Sequence, residues 1–186
     1  MKTEREKMLD GELYKSSDPE LVALRLRARR LTRQYNATTE EETVRRSEIL
    51  RELFGAVGSA FIEPNFRCDY GGNIRVGENL YMNFHCVILD CAQVEIGDGV
   101  MCGPGVHIYT AYHPLQAAER MKGPELAAPV RIGSNVWLGG GVIVCPGVAI
   151  GDNTTIGAGS VVTRDIPADV FAVGNPCRVI RRLTQD

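Results

Sequence analysis

Residues 130–165 read VRIGSNVWLGGGVIVCPGVAIGDNTTIGAGSVVTRD. Aliphatic residues recur there every six positions, at Ile132, Leu138, Val144, Ile150, Ile156 and Val162, and a second column runs two residues earlier through Val130, Val136, Val142 and Val148. Neither the 3.6-residue period of a helix nor the two-residue alternation of a lone strand produces this pattern. Six residues make one short strand and one corner, so each repeat forms one flat side of a coil. Glycine or asparagine falls where the backbone must turn through positive φ.

The same register extends toward the N-terminus. Ile96, Cys102 and Ile108 carry it with Val94, Val100 and Val106, and Val76, Met82 and Ile88 carry it with Ile74, Leu80 and Cys86. A β-sandwich, whose turn signals come about every eight to twelve residues, would lose phase within a few repeats. Two breaks interrupt the pattern. The step from Ile88 to Ile96 is eight, a two-residue insertion around Asp90-Cys91, and residues 111–129, AYHPLQAAERMKGPELAAP, leave the repeat as a loop. Insertions in repeat proteins gather on the face that binds, and long excursions are usually functional.

Before the coil, residues 1–60 read as helical. Asp18-Pro19 supplies an N-cap followed by proline in the first turn, and Leu21, Leu24, Ala28, Leu31 and Tyr35 form an apolar stripe. Thr39 with Glu42 fits a capping box ahead of a second helix through Ile49, Leu50, Leu53, Phe54 and Val57. Arg25, Arg27, Arg29 and Arg30 form a charge run expected on a solvated helix face. The domain organisation expected is therefore a helical segment over 1–60, the coil over 61–165 with its loop at 111–129, and a C-terminal segment over 166–186 that caps the open end of the coil.

A net charge of −2 provides no global field to draw the chain to nucleic acid or anionic lipid. The charged N-terminus lacks a signal-peptide core and no stretch is long and apolar enough to span a membrane, so the default compartment is the cytoplasm. The six cysteines include no C-x-x-C pair and read mostly as small core fillers.

Chemistry concentrates at one histidine. His113 lies in the excursion immediately before Pro114, whereas His107 sits one residue before a core position and His85 near a corner, where surface roles are expected. On position alone His113 reads equally as a catalytic base or as a solvated loop histidine.

The segments VHIYTAYHP (106–114), PVRIGSNVWLGG (129–140), GAGSVVTRDIP (157–167) and GNPCRVI (174–180) closely resemble the maltose and galactoside O-acetyltransferases. EKMxxGELY (6–14) and EPxFRCDYGxNI (63–74) extend the resemblance over nearly the whole chain and are closest to the maltose branch. It implies a mainly β fold, a left-handed parallel β-helix of hexapeptide repeats, and a homotrimer with active sites between neighbouring coils. It also implies acetyl-CoA as co-substrate with no metal, a small sugar as acceptor, and His113 as general base for direct transfer. An imidazole titrating near neutral pH suits that task.

The positions matching the family's acceptor pocket are Asp69, Asn83, Asp90 and Cys91; the galactoside branch has serine at the first and an acidic residue at the last. Those matching its coenzyme site are Gly140, Ala158, Thr163, Arg164, Arg178 and Arg181, with arginine at 164 where lysine is common. Glu125 reads as an orienter of the imidazole or as a solvated glutamate, and Trp137 as a flank of the cofactor channel or as packing at a coil edge. Two other readings stand against this one. A γ-carbonic-anhydrase-like metal hydratase uses a similar coil and three histidines, and a non-catalytic coil would serve as a scaffold.

Overall fold

The computed structural model describes residues 1–184. Helix α1 (Glu4–Leu9) opens with a reciprocal capping box: Glu6 N–H donates to the Thr3 hydroxyl at 3.1 Å, and Thr3 N–H donates to the Glu6 carboxylate at 2.7 Å. Helix α2 (Pro19–Asn36) starts as expected, with the Asp18 carboxylate accepting from Glu20 N–H at 3.0 Å, and it buries Leu21, Ala28, Leu31 and Tyr35. Helix α3 (Thr43–Leu53) departs from expectation at both ends. The Glu42 carboxylate accepts Thr39 N–H at 2.8 Å, but this bond closes the turn ahead of the helix, whose N-cap is Glu42 itself. The helix also stops short of Val57, because Gly55 N–H is claimed by the Ile74 carbonyl and the chain enters a sheet.

The arginine run is not simply solvated. Arg25 donates to the Tyr70 hydroxyl at 2.7 Å and to the Ser16 carbonyl at 2.6 Å, and Arg27 donates to the Glu52 carbonyl, while Arg29 and Arg30 are exposed. Two guanidinium groups thus tie α2 to the segments around it.

From Ala56 the chain winds into a parallel β-solenoid of about six turns with three flat faces. The first face holds β1 (Ala56–Val57), β4 (Ile74–Val76), β7 (Val94–Ile96), β12 (Val130–Ile132) and β15 (Ala149–Ile150). The second holds β2 (Ala60–Ile62), β5 (Leu80–Met82), β8 (Met101–Cys102), β13 (Trp137–Leu138), β16 (Thr155–Ile156), β18 (Val170–Gly174) and β19 (Cys177–Arg182). The third holds β3 (Arg67–Cys68), β6 (Val87–Leu89), β9 (His107–Tyr109), β14 (Ile143–Val144) and β17 (Val161–Val162).

Every residue of the two six-residue columns is buried, stacked on its equivalent in the next turn, as Val94 is on Val130 and Ile108 on Val144. Each such aliphatic contributes about 1.5–3 kcal/mol on leaving water. The inner column continues past Val148 with two polar residues, Thr154 and Ser160, both fully buried. They fit because Thr154 Oγ1 donates to the Pro167 carbonyl at 2.9 Å, and the Ser160 hydroxyl accepts from Gly174 N–H at 3.0 Å. Corners take left-handed backbone at Asn79 and His85, at Gly99 and Gly105, and then every six residues from Asn135 to Gly159. Gly103 meets a different demand. A Cβ there would lie 2.5 Å from the backbone nitrogen of Gly140 in the next turn, so Gly103→Ala is expected to cost about 1–3 kcal/mol in denaturant unfolding.

The coil runs beyond the expected bounds at both ends. β1, β2 and β3 form a first turn that precedes the legible repeat, and Ile166 and β18 add two further sides before β19 folds back antiparallel on β18. Residues 185 and 186 of the expected cap lie outside the described residues.

Candidate active site

The excursion at 111–129 carries its own structure. β10 (Ala111–Tyr112) pairs antiparallel with β11 (Leu126–Ala127), and a single turn, α4 (Ala117–Arg120), forms the tip. Ala111 and Ala127 pack onto a small apolar cluster that includes Met8, Tyr14, Leu21, Tyr70 and Cys91, so the hairpin stands on the N-terminal segment. His113 follows β10 directly and is exposed. It shares a shallow cleft with Leu13, Tyr112, Leu115 and Leu126, and its ring has no hydrogen bond or ion pair among the described residues.

The other histidines lie on the coil itself. His107 projects from the third face as expected, its Nδ1 2.5 Å from the Tyr109 hydroxyl. His85 occupies a corner at φ 62°. No group of three His, Cys, Asp or Glu side chains among the described residues could hold a metal ion.

The four residues expected around the acceptor do not form one surface. Asp69 is half-buried; burial pushes its carboxyl above the usual range, opposed by its bond to Cys91 and by the charges of Arg25 and Arg29. Asp90 turns inward instead. Its side chain is fully buried, with Oδ1 accepting from the Asp69 and Tyr70 N–H groups at 3.1 and 2.9 Å and Oδ2 from Asn73 N–H at 3.3 Å, so it closes a turn and presents no open oxygen to a sugar. Burial raises its carboxyl to about 7, against the pull of these donors. Cys91 is likewise buried, 4% exposed, with Sγ 3.7 Å from Asp69 Oδ2. Burial pushes its thiol up to about 12. Both residues occupy the two-residue insertion, where the extra length is spent on tying adjacent turns together.

Asn83 lies on a different edge, the corner between the second and third faces. Backbone bonds stack it on Gly103, then Gly139, Gly157 and Val173, each N–H donating to the carbonyl that precedes the next residue's column. Gly140 and Ala158 follow Gly139 and Gly157 on this edge, and Arg178 pairs with Val173 across β18 and β19. Four steps at a strand spacing of about 4.8 Å make a track roughly 19 Å long, floored by backbone and ending at a guanidinium. Arg181 pairs with Phe171 on the second face, beside Trp137, whose ring is half exposed on that face. Thr163 and Arg164 sit apart. They follow β17, and Thr163 stacks in line with Cys145, Tyr109 and Leu89 at the edge between the third and first faces, from which the His113 hairpin also springs.

Glu125 neither reaches the imidazole nor floats in solvent. Its carboxylate accepts from the Tyr14 hydroxyl at 2.9 Å and the Ser16 hydroxyl at 2.8 Å. Ser16 carried no signal of its own and Tyr14 entered only within the motif at 6–14, since pairing residues over a hundred positions apart is invisible to local spacing.

Residues 7–58 match the maltose acetyltransferase hexapeptide capping motif, and residues 129–164 match the bacterial transferase hexapeptide family of six repeats. A solved maltose O-acetyltransferase from Clostridium difficile 630 superposes with a TM-score of 0.97 at 54% identity, over 99% of each chain. A hexapeptide-repeat acetyltransferase from Vibrio cholerae O1 biovar eltor, complexed with acetyl coenzyme A, superposes with a TM-score of 0.91 at 37% identity, over 99% of this chain and 100% of that one. The galactoside O-acetyltransferase of Escherichia coli K12 is 41% identical over 179 residues, covering 96% of this chain and 88% of that protein. Similarity of this depth along the whole coil and its helical cap makes the chain a hexapeptide-repeat acetyltransferase of the maltose and galactoside O-acetyltransferase family.

Proposed function

We propose that this enzyme transfers the acetyl group of acetyl-CoA to a hydroxyl of a small sugar such as maltose or glucose, with His113 as general base. One observation carries the reading: the fold lifts His113 off the coil on a buttressed hairpin and leaves its ring unpaired beside a cleft, while His107 pairs with a tyrosine and His85 stays on a corner of the coil itself. In the step proposed, the imidazole takes the hydroxyl proton, a C–O bond forms at the thioester carbonyl and the C–S bond breaks. The proton then passes to the departing thiolate.

The track from Asn83 to Arg178 suits an extended pantetheine arm. Gly140 and Ala158 keep the side chains along it small, and the arginine offers a planar donor array to phosphate. Asp69 is the acceptor residue of the expected set that retains an exposed part near the hairpin. Because the hairpin and the track occupy different edges of one coil, with the third face between them, the geometry favours a site completed by a neighbouring coil in a homotrimer. A co-substrate made inside cells goes with the cytoplasmic compartment expected above.

The test is thiol release from acetyl-CoA in the presence of a panel of mono- and disaccharides. Sugar-dependent release supports the reading, and binding of CoA with release unaffected by any sugar overturns the acceptor class. Arg178→Ala is expected to weaken CoA binding by roughly tenfold to a hundredfold, since a charge-assisted bond is worth about 1.5–3 kcal/mol, with the fold unchanged by circular dichroism.

A further inference from the structure

We propose that Glu125 is a positioning residue for catalysis, its carboxylate clasping Tyr14 and Ser16 of the N-terminal segment so that the hairpin bearing His113 is held in one place. The inference rests on the role given to His113 above.

The hairpin cannot hold itself. β10 and β11 share two residue pairs, and an isolated two-stranded hairpin is marginal in water even when longer. Tyr14 adds a one-residue antiparallel bridge to its free edge: Tyr14 N–H donates to the Glu125 carbonyl at 3.1 Å and Glu125 N–H to the Tyr14 carbonyl at 3.0 Å. Over this backbone bridge the Glu125 carboxylate uses one oxygen for each hydroxyl, Oε2 for Tyr14 and Oε1 for Ser16. Bonds to an ionised acceptor are stronger than neutral ones, and here both are part-buried.

The clasp is anchored in turn. The Ser16 carbonyl accepts from Arg25 of α2, and Arg25 also donates to the hydroxyl of Tyr70, which belongs to the first turn of the coil. A continuous path of hydrogen bonds therefore runs from the coil through α2 and the N-terminal segment to the residue preceding β11. His113 directly follows the strand that pairs with β11, so a shift of the hairpin is a shift of the base. Misplacing a catalytic group by about 1 Å costs on the order of a hundredfold in rate.

The experiment compares wild type, Glu125→Ala, Glu125→Gln and the double variant Tyr14→Phe/Ser16→Ala in the full chain. Two readouts are taken: steady-state transfer to the sugar that wild type acetylates best, and limited trypsin cleavage at Arg120 and Lys122 on the exposed hairpin tip. Expected for Glu125→Ala and for the double variant are a fall in kcat of about tenfold to a hundredfold, an unchanged KM for acetyl-CoA, and faster cleavage at the tip. Glu125→Gln, which can still accept one hydroxyl bond and donate the other, is expected to recover much of both. Cleavage reads the clasp without reference to activity, so it stands even if the sugar or the base is assigned wrongly. Wild-type cleavage with a raised KM for the sugar would overturn the proposal and make Glu125 an acceptor contact. Faster cleavage with wild-type kcat would overturn it too, because the hairpin would then be loosened without consequence for the base.

Discussion

His113→Ala is expected to lower acetyl transfer by about 10²–10⁴-fold while leaving acetyl-CoA affinity close to that of wild type. The separation follows from geometry. The coenzyme track belongs to the edge between the second and third faces, and His113 stands on the hairpin that leaves the coil at the other edge of the third face. Removing the imidazole therefore takes away a proton acceptor without touching the groove that suits the pantetheine arm. Its ring carries no structural hydrogen bond among the described residues, so the substitution should leave the unfolding midpoint nearly unchanged. Thiol release and CoA binding, measured side by side on both proteins, check this. Equal turnover would remove His113 from the mechanism, and a parallel loss of CoA affinity would assign it to the coenzyme instead.

The second large effect concerns stability. Asp90→Ala is expected to destabilise the chain by about 1–3 kcal/mol, because the buried N–H of Tyr70 loses its acceptor, a cost of about that size, and the part-buried N–H groups of Asp69 and Asn73 lose theirs as well. Asp90→Asn should cost less, since its carbonyl oxygen can keep the two N–H bonds now made to Oδ1, but its amide would face Asn73 N–H with a donor. Urea unfolding of the three proteins measures the difference. A loss of under about 0.5 kcal/mol for the alanine variant would return Asp90 to the surface role expected of a pocket residue.

The coil was legible because its signal is periodic and redundant. Each of Val76, Ile96, Ile132 and Ile150 occupies the same place in its turn and stacks on the one before, so the register can be read from any part of it. The first turn was not legible. Val57, Ile62 and Cys68 are spaced irregularly, and they join the solenoid by pairing with β4, β5 and β6 rather than by any pattern of their own. Likewise the polar Thr154 and Ser160 broke the apolar column in the sequence, although partners supplied by Pro167 and Gly174 let them stay in it.

His113 could be singled out from the sequence because it sits in the segment that abandons the repeat, and an interruption is visible wherever a pattern is. Asp90 and Cys91 also mark an interruption and match the family's acceptor positions, but an insertion marks a special place without saying whether its side chains turn outward to a ligand or inward, as both do within this coil. That choice depends on which donors the neighbouring turn presents. The sequence by itself determined the hexapeptide coil, its corners and its two interruptions, since these depend on spacings of six residues repeated many times. Tertiary structure decided which polar groups are spent on the fold and which remain free, including the bond from Glu125 to Tyr14, because those partners lie 111 residues apart and meet only once the coil has brought them together.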